Sequence, residues 1–177
     1  MDTTKQNSSA WDMKVEEGAR YTLPVSSEEI EKSKAGEWAI TVTTEKSVPR
    51  HWFPESIKGL RILCLASGGG QQAPILAAAG ADVTVTDLSK KQLEQDEKVA
   101  KRDDLSLTTV QGDMSDLSAF DDGTFDMVVN PVSNLFVKDV HVVWKEIARV
   151  TKDKGILIAG FTNPLLWIFD DTQERKG

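Results

Sequence analysis

The sequence predicts an α/β fold of three layers, a parallel sheet with helices on both faces, and three observations predict it. Apolar or β-prone runs alternate with helical segments from Leu60 onward. The first run, Arg61-Ile62-Leu63-Cys64-Leu65-Ala66, breaks through Ser67 into Gly68, Gly69 and Gly70, then enters an Ala-rich helix. A short apolar run bounded by glycine reads as a strand buried on both faces. The alternation then continues to Phe161, and such alternation implies right-handed crossovers that cover both faces of a parallel sheet.

In chain order, residues 1–9 are polar and read as a disordered lead. Trp11 and Tyr21 stand among polar residues, placed either to pin an N-terminal arm to the core or to help cover a ligand. Ser26 and Glu29 fit a capping box for a short helix that stops at Gly36. Glu37 to Thr43 is β-prone, a short strand or extended arm, and a proline-flanked loop, Val48 to Pro54, delivers the chain to the core. The core strands are then expected at 61–66, 82–87, 105–111, 125–129 and 156–161. A helix from Gln71 ends at Gly80, with Pro74 in its first turn. A second helix starts at Ser89, whose spacing to Gln92 suggests another capping box. A third begins near Asp139 and carries Val140, Val143, Trp144, Ile147, Ala148 and Thr151 as a buried stripe. Lys152 and Lys154 are expected at its C-terminal end, with Gly155 as its stop. Residues 1–56 form an N-terminal arm and cap segment, and residues 57–177 the core.

Composition narrows the function classes. With 28 acidic against 21 basic residues the formal net charge is −7, which disfavours nucleic acid and anionic membrane as partners. No apolar run is long enough to span a bilayer. The one cysteine, Cys64, lies inside an apolar strand, where it reads as a small core residue; a cytoplasmic setting is expected. No metal-ligand cluster is suggested.

In a sheet of this kind the ligand lies beyond the carboxyl ends of the strands, where strand order reverses. Those ends carry Ala66 to Gly70, then Asp87 and Leu88, then Asp113 and Met114, then Asn130 to Asn134. The helix entered from the glycine turn favours an anionic group at its N-terminus. Asp87, about twenty residues beyond the glycines, suits the two hydroxyls of an adenosine ribose. Asp113 suits an adenine amino group, with Met114 packed on the ring. Gly68-Gly69-Gly70-Gln71-Gln72-Ala73 also satisfies the G-x-G-x-x-A form of a dinucleotide site, so local motifs alone leave a nicotinamide cofactor open.

Four stretches carry a resemblance: "ILCLASGGGQQAPILAAAGADVTVTDLS", "VQGDMSDL", "DDGTFDMVV" and "EIARVTKDKGILIAGF". Together they resemble the class I S-adenosylmethionine-dependent methyltransferases over roughly residues 60–161. The Asp-Gly-x-Phe-Asp entry to the fourth strand and the Arg-Val-x-Lys-x-x-Gly entry to the fifth are the better discriminators. The resemblance implies a Rossmann-like sheet, S-adenosyl-L-methionine as cofactor and methyl transfer to a small-molecule acceptor. A non-catalytic cofactor-binding domain is the alternative, and an NAD(P)-binding domain a more distant one. By position, Ala66, Ser67, Gly68 and Gly70 would line the methionine part of the cofactor. Asp87 would hold the ribose, Leu88 would touch the adenine, Asp113 and Met114 would frame it, and Asn130 would sit beside the transferring methyl. No catalytic residue is implied; His51 and His141 are the only histidines.

The chain departs from the family twice. The family's loop begins with an acidic residue and then glycine, where this chain has Cys64 and Ala66. Ser67 and Gln72 are the nearest substitutes for the lost carboxylate. The family core also continues past its fifth strand, whereas this chain runs from Asn163 through Leu165–Phe169 to a polar end. The sheet is therefore expected to be truncated after the fifth strand. That implies a fragment, or a short form that swaps elements or pairs as a homodimer through the exposed sheet edge.

Overall fold

The computed structural model describes residues 3–43 and 46–163. Five strands, β1 (Arg61–Leu65), β2 (Asp82–Asp87), β3 (Thr108–Gln111), β4 (Phe125–Asn130) and β5 (Thr151–Ala159), form one sheet in the order β3-β2-β1-β4-β5. Every pairing is parallel, and β1 lies between β2 and β4. The chain leaves β1 toward β2 on one side and returns after β3 to place β4 on the other. The order therefore reverses at β1, opening a crevice beyond the carboxyl ends of β1 and β4.

Alternation along β1 divides the core. Ile62 and Cys64 face one side, packed with Val83, Val85, Met127 and Val129 against α3 (Gln72–Ala78) and Leu93 of α4 (Lys90–Asp103). Leu63 and Leu65 face the other, with Val128 against Val143, Ile147 and Val150 of α5 (Val140–Val150). These contacts make the three-layer α/β architecture, Rossmann-like and of the expected class. Among the described residues no helix is long and apolar enough to cross a membrane.

Two helices precede the sheet. In α2 (Ser27–Lys34), Ser26 and Glu29 close both halves of the expected capping box. The other, α1 (Thr3–Glu16), replaces the expected disordered lead. Its residues include several good helix formers and neither glycine nor proline. Gly18, at φ 67°, ends it: the Ala19 N–H reaches the Lys14 carbonyl at 3.0 Å and the Gly18 N–H the Val15 carbonyl at 3.1 Å.

The segment 37–43 is an arm instead of a regular strand, making one antiparallel bridge, Thr41 to Ser47, while burying Ile40 and Val42. β3 starts at Thr108, later than expected. α5 stops at Val150, and residues 152–155 are a bulge within β5, not a helix end and its stop. The register shows the bulge: Phe125 faces Thr151, but Met127 faces Ile156. Lys154 takes φ 60°, and a Cβ on Gly155 would stand 2.9 Å from the Lys152 carbonyl oxygen. Gly155 thus serves a tight bulge. The apolar run 165–169, expected to lack cover, lies outside the described residues.

Candidate functional site

The chain leaves β1 through Ala66, a non-glycine residue at φ 48°, whose N–H is held by the Thr86 carbonyl at 2.7 Å. Gly69 and Gly70 follow at φ 121° and 74°. Such a turn usually offers its amides to a ligand. Here two of them are engaged inside the protein. The Gly68 N–H donates to Asp87 Oδ2 at 3.0 Å. The Gly69 N–H is shared between Asp96 Oδ2 and the Gln92 carbonyl, each at 3.0 Å. The Gly68 and Gly69 amides are thus spent inside the protein and are not free for the expected anion cradle.

Asp87 ends β2 and takes a second N–H, from Ser89 at 2.9 Å. Burial pushes its carboxyl above the ordinary value, against the pull of the Ser89 and Gly68 amides, and Asp12 adds a like charge. After β3, Asp113 Oδ1 accepts from the Ser115 amide at 2.9 Å and the Ser115 hydroxyl at 2.7 Å. Its Oδ2 accepts from the Thr4 hydroxyl at 3.0 Å. Met114 is buried beside it.

These groups border a cavity of about 360 Å³ at the reversal point. Of the sequence-predicted residues, Ala66, Asp87, Leu88, Asp113 and Met114 line it. Ser67, Gly68, Gly70, Gln72 and Asn130 lie behind that wall. The Ser67 hydroxyl donates to Gln72 Oε1 at 3.0 Å, and Gln72 Nε2 to the Thr41 carbonyl at 2.9 Å. Both candidates for replacing the family's carboxylate are thus spent on each other and on the 40s arm. Asn130, fully buried, ties the Leu65 carbonyl to the Ser133 hydroxyl, each at 2.9 Å from Nδ2, while its Oδ1 has no partner. His51 and His141 are exposed and line no part of the cavity.

The roof was not legible in the sequence. α1 lies across the crevice: Asn7 Nδ2 donates to the Phe136 carbonyl at 2.9 Å and the Ser8 hydroxyl to the Leu88 carbonyl at 3.0 Å. Asp12 Oδ1 accepts from the Ser89 hydroxyl at 2.6 Å and the Lys91 amide at 3.2 Å, and Glu16 pairs with Lys91. The second capping box is consequently half-formed; Ser89 caps the Gln92 amide at 3.1 Å, but Gln92 Oε1 has no partner. Trp11 packs edge-on against Phe136 at 5.7 Å and lines the cavity. It both pins the arm and covers the site, whereas the exposed Tyr21 lines none of it. Asp96 was also missed. Its signal was a carboxylate on the buried stripe of α4, between Leu93 and Val99.

A family model described as a methyltransferase domain matches residues 63–159, more than half of the chain. This chain belongs to the class I S-adenosylmethionine-dependent methyltransferases. The uncharacterized methyltransferase YbaJ of Bacillus subtilis is 57% identical over 171 residues, which are 97% of this chain and 67% of YbaJ. Demethylmenaquinone methyltransferase of Clavibacter sepedonicus is 37% identical over 61% of this chain and 44% of its own. Among solved structures, an S-adenosylmethionine-dependent methyltransferase from Mesorhizobium loti is 27% identical with a TM-score of 0.51, over 58% of this chain and 46% of that one. This methyltransferase chain thus spans two thirds of YbaJ and under half of the other two.

The cavity wall suits the family's cofactor. The end of β2 presents a carboxylate, and the end of β3 a carboxylate beside a thioether, at the two places where a nucleoside's ribose and base would lie. Lining carboxylates Asp87, Asp113 and Asp139 outnumber the one lining cation, Lys138. Such a wall is compatible with a sulfonium and hostile to a pyrophosphate.

Proposed function

We propose that this chain binds S-adenosylmethionine in the crevice beneath α1 and transfers its methyl group to a small organic acceptor. The observation that carries the reading is the combination of a carboxylate-lined cavity with a glycine turn whose Gly68 and Gly69 amides are engaged inside the protein. A dinucleotide needs those amides for its pyrophosphate; a cationic nucleoside does not. When bound, the cofactor supplies an electrophilic methyl group.

The protein's share is to bind, align and exclude water. Asp87 keeps acceptor capacity for ribose hydroxyls beyond its two amide bonds, since an ionised carboxylate has about four acceptor positions. Asp113 offers an acceptor to an adenine amino group once Thr4 yields it, and Met114 gives the ring an apolar floor. Trp11, Phe136 and Val137 offer apolar wall to the rest of the ligand and to an acceptor. Holding the reacting atoms in line can supply roughly 7–11 kcal/mol of the barrier. An acceptor that is already an unprotonated nucleophile needs no general base, in keeping with the absence of histidine from the wall. The net acidity supports a small acceptor over a nucleic acid.

Calorimetric titration with S-adenosylmethionine, S-adenosylhomocysteine and NAD tests the binding step. Heat with the first two and none with NAD is expected, and Asp87→Ala is expected to abolish it. Heat with NAD alone would overturn the proposal. Binding without methyl transfer to any compound in a metabolite panel would reduce it to a cofactor-binding domain.

A further inference from the structure

One turn amide ends on a carboxylate that the mechanism above leaves without a task. Asp96, on the inner face of α4, is wholly buried. It receives the Gly69 N–H at 3.0 Å. The turn has little freedom to relax elsewhere. A Cβ on Gly70 would stand 2.7 Å from Pro24 Cβ and 3.0 Å from the Gln95 carbonyl oxygen, and one on Gly68 2.7 Å from Gln92 Cβ. The turn is therefore clamped between α4 and the segment at Pro24, with its Gly69 amide directed at Asp96.

The second oxygen of Asp96, Oδ1, has no hydrogen-bond partner, nor does Gln92 Oε1 one helical turn earlier. Burying an ionised carboxylate with an open acceptor is costly. Burial raises the Asp96 carboxyl to about 8, with the neighbouring Asp87 charge acting the same way and the glycine amides opposing. The neutral acid keeps its amide-accepting oxygen and leaves no full charge buried. Neutral Asp96 thus holds the turn without setting a second full charge beside Asp87.

We propose that Asp96 is a specificity-determining positioning residue: from within α4 it draws the Gly69 amide inward, denying a pyrophosphate that donor and fixing the turn for a cationic nucleoside. Sequence alone leaves this turn compatible with a dinucleotide; Asp96 is the group that decides otherwise. The inference rests on the cofactor reading above and deepens it.

The test compares S-adenosylhomocysteine affinity in the wild type, Asp96→Asn and Asp96→Leu by calorimetry, with amide hydrogen exchange read at Gly69. Asparagine keeps an acceptor, so Asp96→Asn is expected to bind within about threefold of wild type. Asp96→Leu fills the space without an acceptor and is expected to bind at least tenfold more weakly, with the Gly69 amide losing protection. A folded Asp96→Leu protein that binds within threefold of wild type overturns the proposal. Should that variant not fold, the wild type decides: an unprotected Gly69 amide overturns the proposal, and protection of that amide in both the wild type and Asp96→Asn supports it. Failure of the cofactor reading is separately visible, as wild-type protein that binds neither S-adenosylmethionine nor S-adenosylhomocysteine while its Gly69 amide stays protected.

Discussion

The Thr4 hydroxyl donates to Asp113 Oδ2 at 3.0 Å across 109 positions of sequence. It occupies the acceptor that the proposed function assigns to an adenine amino group. The bond therefore competes with the ligand. Thr4→Val keeps the side chain's shape and removes the donor. A net hydrogen bond is worth about 0.5–1.5 kcal/mol, so the variant is expected to bind S-adenosylhomocysteine about three- to tenfold more tightly. Weaker binding by calorimetry would mean instead that Thr4 contacts the ligand.

No residue of α1 is fully buried, and its ties to the core include hydrogen bonds, the Glu16–Lys91 ion pair and the Trp11 ring. Trp11 gives it an aromatic contact with Phe136. Trp11→Ala is expected to leave the melting temperature of the core within a few degrees while speeding ligand dissociation several-fold in stopped-flow displacement. A large loss of global stability with unchanged dissociation would contradict a roof held mainly by exchangeable polar contacts.

Asp96 makes stability depend on pH in a stated direction. Its carboxyl sits at about 8 in the folded protein and near the ordinary 3.8 when unfolded. Between those values the folded state holds a proton that the unfolded state lacks, so stability falls as pH rises through the window and levels off above it. The slope from one such group is at most about 1.4 kcal/mol per pH unit. Asp87 is raised too and acts in the same direction, whereas Asp126 and Glu146, lowered by Lys152 and Arg149, lose their contribution only in acid. Urea midpoints between pH 5 and 9 are expected to decline in the wild type and to flatten in Asp96→Asn. An identical decline in both would remove Asp96 as the cause.

Much of this architecture was readable because local chemistry and tertiary structure agree. β2 runs from Asp82 to Asp87, as expected from its β-branched run, and the Ser26–Glu29 box closes where its spacing says it should. What escaped was set by distant partners. α1 has no apolar stripe, and the groups that dock it, at Leu88, Ser89, Asp113 and Phe136, come from three separate loops. The bulge at 152–155 was mistaken for a helix stop because lysine and glycine serve both devices. Only the Phe125–Thr151 register, a pairing across the sheet, separates them. Within the site, strand ends could be read from the pattern, but the inward direction of the Gly69 amide required the Asp96 contact to be seen.

Ala66 tests the cost of the first turn residue. It holds φ 48° while lining the cavity. A left-handed conformation costs a non-glycine residue roughly 1–2 kcal/mol, partly offset here because glycine raises the entropy of the unfolded chain. Ala66→Gly is expected to stabilise by up to about 1 kcal/mol in urea denaturation. A β-branched side chain is worse suited to that region, so Ala66→Val is expected to destabilise by more than about 1 kcal/mol and to weaken ligand binding by narrowing the cavity.

Gly160 joins the arm to the mouth of the site. Its N–H donates to the Asn130 carbonyl at 2.9 Å, and its carbonyl accepts from Asn134 Nδ2 at 2.6 Å. A Cβ there would collide with the Val42 carbonyl oxygen and stand 2.8 Å from the carbon that bears it. That same oxygen accepts the Val132 N–H at 3.1 Å, so it cannot retreat without breaking the bond that holds the 40s arm to the loop after β4. Relief requires backbone to move, since no flexible side chain stands in the way. Gly160→Ala is accordingly expected to destabilise by about 2–4 kcal/mol, in the range of overpacked core substitutions with a lost hydrogen bond. Because Asn130, Ser133 and Asn134 share this junction, ligand affinity is expected to fall with stability, measured by urea denaturation and calorimetry on the same preparation. Gly160→Ala with wild-type stability would show that the arm can lift away from β5 freely, and that the wall behind the cavity does not depend on it.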